Sequence, residues 1–264
     1  MPCYGAPSLS KSERAPVLLH LQTWQEVETY LKSSTGIIVP IGSTEQHGPN
    51  GLIGTDAICA EVIAKGVGAA TGALVGPTIG VGNAQHHLAF TGTITLRPST
   101  LIAVIGDYVA SLARHGFARF FFINGHGGNI ATVGAAFQEI YAAASLSPGH
   151  NAPGLRCKLK NWWETPGVQK LSKELFGNRE GSHATPSEVS VTQWAYPEAI
   201  KRAAMGPPNA RVRDFADAAD YRRLFPDGRI GSDPTLATPE HGGRFVEAAV
   251  RDISEDYRRF LTQD

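Results

Sequence analysis

The apolar residues of this chain fall into two alternating patterns. Dense runs at 35–42 (TGIIVPIG), 72–80 (GALVGPTIG), 118–125 (ARFFFING) and 155–163 (LRCKLKNWW) read as strands, the first unbroken in apolar residues as parallel strands tend to be. Between them apolar positions return every three or four residues, which predicts helices over 23–34, 55–67, 98–116, 129–144 and 238–263. Local chemistry supports these bounds. Thr23 is an N-cap candidate with a glutamate nearby, Thr55 or Asp56 opens the second helix, Pro98 sits in a first turn and Gly116 is a stop. Residues 164–238, rich in Pro, Gly and charge, show no clear period. Strand–helix alternation at this spacing predicts an α/β fold with a mostly parallel sheet covered on both faces.

Composition narrows the class. A chain of 264 residues with 42% hydrophobic residues can bury a core, and 17–264 reads as a single domain preceded by a loose tail or arm at 1–16. Lys plus Arg balances Asp plus Glu at 24 each, which argues against nucleic acid or a membrane surface as partner. No window approaches the roughly 18 to 20 apolar residues of a spanning helix, and the N-terminus carries no signal-peptide pattern. Three scattered cysteines, Cys3, Cys59 and Cys157, without CxxC spacing, point to a reducing cytoplasm. Cys59 falls on the apolar face of a helix and reads as core.

The chemistry gathers where such folds bind ligands, beyond the carboxyl ends of the strands. Glu45 and His47 follow the first strand in IGSTEQHGPNGLIGTD, His87 lies in the loop after the second, and His126 follows the third in NGHGGN. Imidazole and carboxylate together are a ligand set for zinc, manganese or iron(II). Each residue also has a plainer reading. Asp56 fits a helix cap. NGHGGN resembles a phosphate-binding turn, although it lacks GxGxxG spacing and a P-loop lysine. His183 and Glu188 in GSHATPSEVS sit where Thr185 and Glu188 form a capping box. Asn124 and Asn129 could contact substrate, orient ligands or hold the glycine turn. Trp162 and Trp163 could wall a pocket or fill the core. His87 is a substrate contact or a partner of a ligand, and His86 is expected in solvent.

Taken in order, PIGSTEQHGPNGLIGTD, HHLAFTGTITL, NGHGGN and HATPSEVS resemble the signature stretches of the creatininase family over most of 35–195, with Thr91 where proline is usual. The resemblance implies a three-layer α/β/α sandwich and two divalent metal ions (zinc, manganese or iron). Glu45, His47, Asp56 and His126 fall on ligand positions, with Asp56 bridging. In creatininase proper a glutamate stands where this chain has Gly128; Glu188 is the substitute ligand expected here. The implied activity is metal-dependent hydrolysis of a C–N bond in a small, cyclic amide or amidine, with Glu188 and His183 as catalytic residues, His183 handling the proton of the leaving nitrogen. The family typically assembles as a homohexamer. Rival readings are a deformylase or C–C ring hydrolase of the same family, a non-enzymatic phosphate binder, and a scaffold that has kept the fold and lost the chemistry.

Overall fold

The computed structural model describes residues 17–146, 154–207 and 214–262, so the expected tail at 1–16 lies outside the described residues. In chain order the elements are β1 (Val17–Leu18), α1 (Trp24–Leu31), β2 (Gly36–Ile41), α2 (Thr55–Thr71), β3 (Leu74–Val75) and α3 (Pro98–Ala113). There follow β4 (Arg119–Asn124), α4 (Ile130–Leu146), β5 (Arg156–Asn161), α5 (Pro166–Leu175), α6 (Pro186–Ala195), α7 (Ala218–Leu224) and α8 (Pro239–Leu261). The five strands form one sheet in the order β1-β3-β2-β4-β5, every pairing parallel.

Alternation along the two central strands divides the interior. Ile37, Val39, Ile41, Phe120 and Phe122 pack with Leu101, Ile105 and Val109 of α3 and Val133, Ala136 and Phe137 of α4. Their neighbours Ile38, Phe121 and Ile123 point the other way, into a core completed by α2, α5, α6 and α8. Because side chains of a strand alternate between faces, a strand apolar at every position must be covered twice. The result is the expected three-layer α/β/α sandwich, with α1, α3 and α4 on one face and α2, α5, α6 and α8 on the other. A third small cluster of Phe90, Tyr221 and Phe225 forms where α7 meets the loop after β3. Among the described residues no helix is long and apolar enough to cross a membrane.

Several boundaries differ from the sequence pattern. The strand expected over 72–80 pairs only at Leu74–Val75 and touches β2 again at a lone Ile41–Ile79 bridge. Gly76 and Pro77 intervene, and proline has no N–H to give a ladder. The strand expected to end in NWW stops at Asn161, and Trp162–Glu164 form a 3-10 turn. The irregular stretch contains α5, α6 and α7. At 10, 10 and 7 residues they are short, and α6 is buried around most of its circumference, which erases the amphipathic signal.

One packing feature places the site. The start of α2 is wedged between the carboxyl ends of β2 and β4, where both strands continue as glycine. A Cβ on Gly42 would lie 2.5 Å from the Asp56 carbonyl carbon, and one on Gly125 would lie 2.0 Å from the Asp56 carbonyl oxygen. No side chain fits such approaches. Gly125→Ala is therefore expected to lower stability by about 1–3 kcal/mol through overpacking. Gly134→Ala, on an α4 position whose Cβ would meet nothing within 4 Å, is expected to raise it by about 0.5–1 kcal/mol. Urea denaturation of the two variants measures both changes, and equal effects would exclude the wedge.

Candidate metal centre

Asp56 occupies the first turn of α2, but its carboxylate does not cap the helix. Oδ1 lies 3.0 Å from His47 Nε2 and Oδ2 lies 3.0 Å from His126 Nδ1. Glu45 closes the other side: its Oε2 is 3.2 Å from His126 Nε2 and accepts a 2.7 Å hydrogen bond from Ser43. Glu188 Oε2 stands 3.9 Å from His47 Nε2. Two groups of donor atoms result, Glu45–Asp56–His126 and His47–Asp56–Glu188, which share Asp56, and a third, Glu45–His47–His183, overlaps both. Ligand atoms around a zinc-type ion, at bonds of about 2.0–2.2 Å, are spaced about 3.0–3.6 Å apart. The separations here fall in or just beyond that range.

Hydrogen bonding selects which imidazole nitrogen faces the centre. His47 Nδ1 lies 3.1 Å from the Glu45 carbonyl and donates its proton there, leaving Nε2 free. His126 Nε2 does the same to the Asn83 carbonyl at 3.1 Å, leaving Nδ1 toward Asp56. Such outward imidazole donors orient the histidines of metal sites. Glu45 Oε1 and Asp56 Oδ2 are buried with only imidazole nitrogens beside them, His87 Nε2 at 3.1 Å and His126 Nδ1 at 3.0 Å. No backbone or hydroxyl donor serves these oxygens, and a divalent cation is a partner that three carboxylates with two imidazoles fit.

The electrostatics agree. Burial alone would lower His47, but Asp56 and Glu188 outweigh it and hold the imidazolium up to about 10. His126 is likewise opposed by burial and carried by Glu45 and Asp56 to about 9. Burial opposes Asp56 ionisation, yet His47 and His126 hold its carboxyl below the usual range. Burial pushes Glu188 up to about 7.

Glu188 has two duties. Thr185 and Glu188 do form a capping box at the start of α6, with Glu188 Oε1 accepting from the Thr185 amide, while Oε2 faces His47. The plain reading is therefore met by one oxygen, and the other is left available to the metal reading. Gly128 carries no side chain for a steric reason: its Cβ would lie 2.4 Å from His126 Nε2 and 2.5 Å from the Asn83 carbonyl. Between His183 and the cap, Ala184 takes a left-handed backbone, φ 53°, which costs an alanine about 1–2 kcal/mol.

His183 joins the same cluster. Its Nε2 is 2.8 Å from the Gln46 carbonyl, and its Nδ1 is 3.8 Å from Glu45 Oε1. Burial, with His87 and His47 beside it, holds His183 well below the ordinary range, so it is a neutral imidazole whose Nδ1 can accept a proton. His87 Nε2 lies 3.1 Å from Glu45 Oε1, and its Nδ1 accepts from the Gln46 amide at 2.9 Å. His87 thus lies beside a ligand. His86 is half-buried and packed against His87, the rings tilted at 4.1 Å between centres, with Phe215 and Tyr221 alongside, where solvent was expected. Asn124 and Asn129, read as possible substrate contacts, are wholly buried and hold the turn. Asn124 ties the His126 amide and carbonyl and reaches Asn161, and Asn129 joins the Asn83 amide to the Gly42 carbonyl. Trp162 is a core residue with an edge on a cavity of about 600 Å³, and half-buried Trp163 lines it too, with Asp56, His126, His183 and Glu188.

Gln46 was missed in the sequence, although it stands between two candidate ligands. Its amide nitrogen contacts His87, His183 and the Gly228 carbonyl, to which Tyr221 also donates. Only its place inside the TEQH run hinted at it; Tyr221 and Gly228 lie some 180 residues onward with no local mark.

Asp56→Ala is expected to remove bound metal altogether, and Glu188→Ala to lower metal content less, on the His47 side only; elemental analysis of purified variants distinguishes them. His47 and His126 are protonated below about 10 and about 9 before a cation binds, so loading must release protons and strengthen as pH rises. Titration calorimetry with zinc in buffers of different ionisation enthalpy at pH 7 reads that release, and none would exclude these imidazoles as ligands.

Residues 20–257 match the family described as Creatininase, creatinine amidohydrolase. The mycofactocin precursor peptide peptidase of Mycobacterium tuberculosis is 30% identical over 241 residues, 88% of either chain. The 3-dehydro-scyllo-inosose hydrolase of Thermotoga maritima is 32% identical over 272 residues, covering 91% of this chain and 85% of that one. A solved structure titled "Creatininase Mn" superposes with a TM-score of 0.82 at 23% identity, over 94% of this chain and 99% of the other. The chain belongs to the creatininase family of hydrolases.

Proposed function

We propose that this protein is a metal-dependent amidohydrolase that cleaves the C–N bond of a small amide or amidine, cyclic ones included, with two divalent ions of the zinc or manganese class held by Glu45, His47, Asp56, His126 and Glu188. The observation that carries the reading is the Asp56 carboxylate set between His47 and His126, with one oxygen toward each. Charge supports two ions. Three carboxylates and two neutral imidazoles sum to three negative charges, which one divalent ion leaves uncompensated in a buried place. A homologous fold titled with manganese agrees with this metal class. Bound there, the ions would bring the pKa of a water from about 16 towards 7 and polarise the scissile carbonyl.

The chain's own residues supply the rest. His183 is neutral at rest, its Nε2 proton fixed on the Gln46 carbonyl, so Nδ1 takes the proton that the attacking water gives up. The imidazolium then returns that proton to the leaving nitrogen as the C–N bond breaks. Glu45 Oε1 lies 3.8 Å from His183 Nδ1, close enough to favour the imidazolium while it exists. The Gln46 carbonyl and the His87 ring, stacked 4.4 Å from His183, hold the imidazole in place.

A second reading within the same chemistry has its own support. The cavity of about 600 Å³ has the volume of a drug-sized ligand, which leaves room for more than one small ring. With a peptidase among the relatives, the amide can be the peptide bond of a short peptide. Zinc- or manganese-loaded protein tested on cyclic amides, imides, formamides and short peptides is expected to hydrolyse one of these classes. A fully loaded protein inert towards every C–N substrate would sink the proposal. His183→Ala is expected to lower kcat by about 10²–10⁴-fold while leaving metal content intact. Normal turnover in that variant would remove His183 from the proton path.

A further inference from the structure

Helix α5 presents two different stripes. Val168 and Leu171 are buried in the core, while Gln169, Ser172 and Lys173 line the cavity that reaches Asp56, His126 and Glu188. The spacing 169, 172, 173 is that of one helical face. Lys173 is the only lysine or arginine of that lining, and among the described residues its ammonium has no ion-pair or hydrogen-bond partner. Its neighbour Glu174 is engaged elsewhere, 3.3 Å from Arg244. The lining thus joins the carboxylates and imidazoles of the candidate metal centre to one exposed, uncommitted cation on α5.

We propose that this stripe of α5 is an anion subsite in which Lys173, assisted by Gln169 and Ser172, takes the free carboxylate of the substrate, so that the preferred amides are carboxylate-bearing ones such as N-acyl amino acids and short peptides with a free C-terminus. The proposal rests on the hydrolase reading and narrows its substrate class. An ammonium paired with a carboxylate makes a charge-assisted contact stronger than a neutral one, and it fixes one end of the substrate while the amide carbonyl meets the metal centre. Glu180, also in the lining, fits this arrangement. It bonds to Ser187 Oγ, and its Oε2 is buried without a partner. Burial pushes its carboxyl up to about 7, so near neutrality it can offer a proton to a substrate carboxylate where an ionised glutamate would repel it. Half-buried Trp163 supplies an apolar wall for the side chain between the two ends.

The test compares matched pairs on the zinc-loaded protein: N-acetylphenylalanine against N-acetylphenylalaninamide, and glycylphenylalanine against its C-terminal amide. Binding is read by titration calorimetry and hydrolysis by product analysis. The wild type is expected to bind the acids on the order of tenfold more tightly than the amides. K173M is expected to lose that preference by weakening the acids alone, in KM rather than kcat wherever turnover occurs, and K173R to retain it. Equal affinity for acid and amide, a preference that persists in K173M, or no binding of either form overturns the subsite. A binding preference for acids in a loaded protein that is inert on these pairs and on the wider panel of C–N substrates leaves the subsite standing and rejects the hydrolase reading; equal binding and hydrolysis of acids and amides does the opposite.

Discussion

The contact between Asp56 and two histidines depends on backbone packing more than on the side chains themselves. Asp56 sits on the first turn of α2, and that turn is pressed against the glycines that end β2 and β4. Its carboxylate therefore inherits its position from the two central strands, the most deeply buried part of the molecule. His47 and His126 come from the loops that follow the same strands, so the three groups share one rigid frame. A site assembled from free loops would have to order its ligands whenever a cation bound; here the sheet has already done so. The cost is electrostatic, because burial opposes every charge in the cluster, and it is met by mutual pairing of carboxylates and imidazoles until a cation takes the place of protons.

Around this frame the outward nitrogens and oxygens are spent on the backbone. His47 donates to the Glu45 carbonyl, His126 to the Asn83 carbonyl and His183 to the Gln46 carbonyl, which fixes each ring by something that cannot rotate. Asn124 and Asn129 do the same for the glycine turn that carries His126. These asparagines were legible in the sequence as candidates near the site, but a sequence does not say whether a polar side chain faces the cavity or the turn beneath it.

What could be read from the chain follows the same division. The sandwich was legible because β2 and β4 are apolar at nearly every position, and only a sheet covered on both faces explains that. Glu45, His47, Asp56 and His126 were legible because each lies within a few residues of a strand or helix end. Glu188 was legible as a cap and as a candidate ligand, and the two readings concern different oxygens of one side chain. By contrast α5 was hidden, and α6 was marked only at its start by the Thr185–Glu188 box. The first is short and lies in a Pro- and Gly-rich stretch, and the second is buried on too many sides to leave a stripe. Gln46 and Tyr221 were hidden for another reason: their partners are brought close by tertiary packing across long sequence separations, which no local pattern encodes.

The divided carboxylate of Glu188 has a dynamic consequence. One oxygen completes the first turn of α6 and the other faces His47, so, with Glu188 as the proposed ligand, fraying of that turn and departure of an ion would pull on the same rigid group. Opening of the α6 start would then become rarer once a cation is held, and the cation in turn would escape more slowly because the helix start resists unwinding. Occupancy and local order would rise and fall together, and the amide protons at the beginning of α6 would report on the ion without touching it.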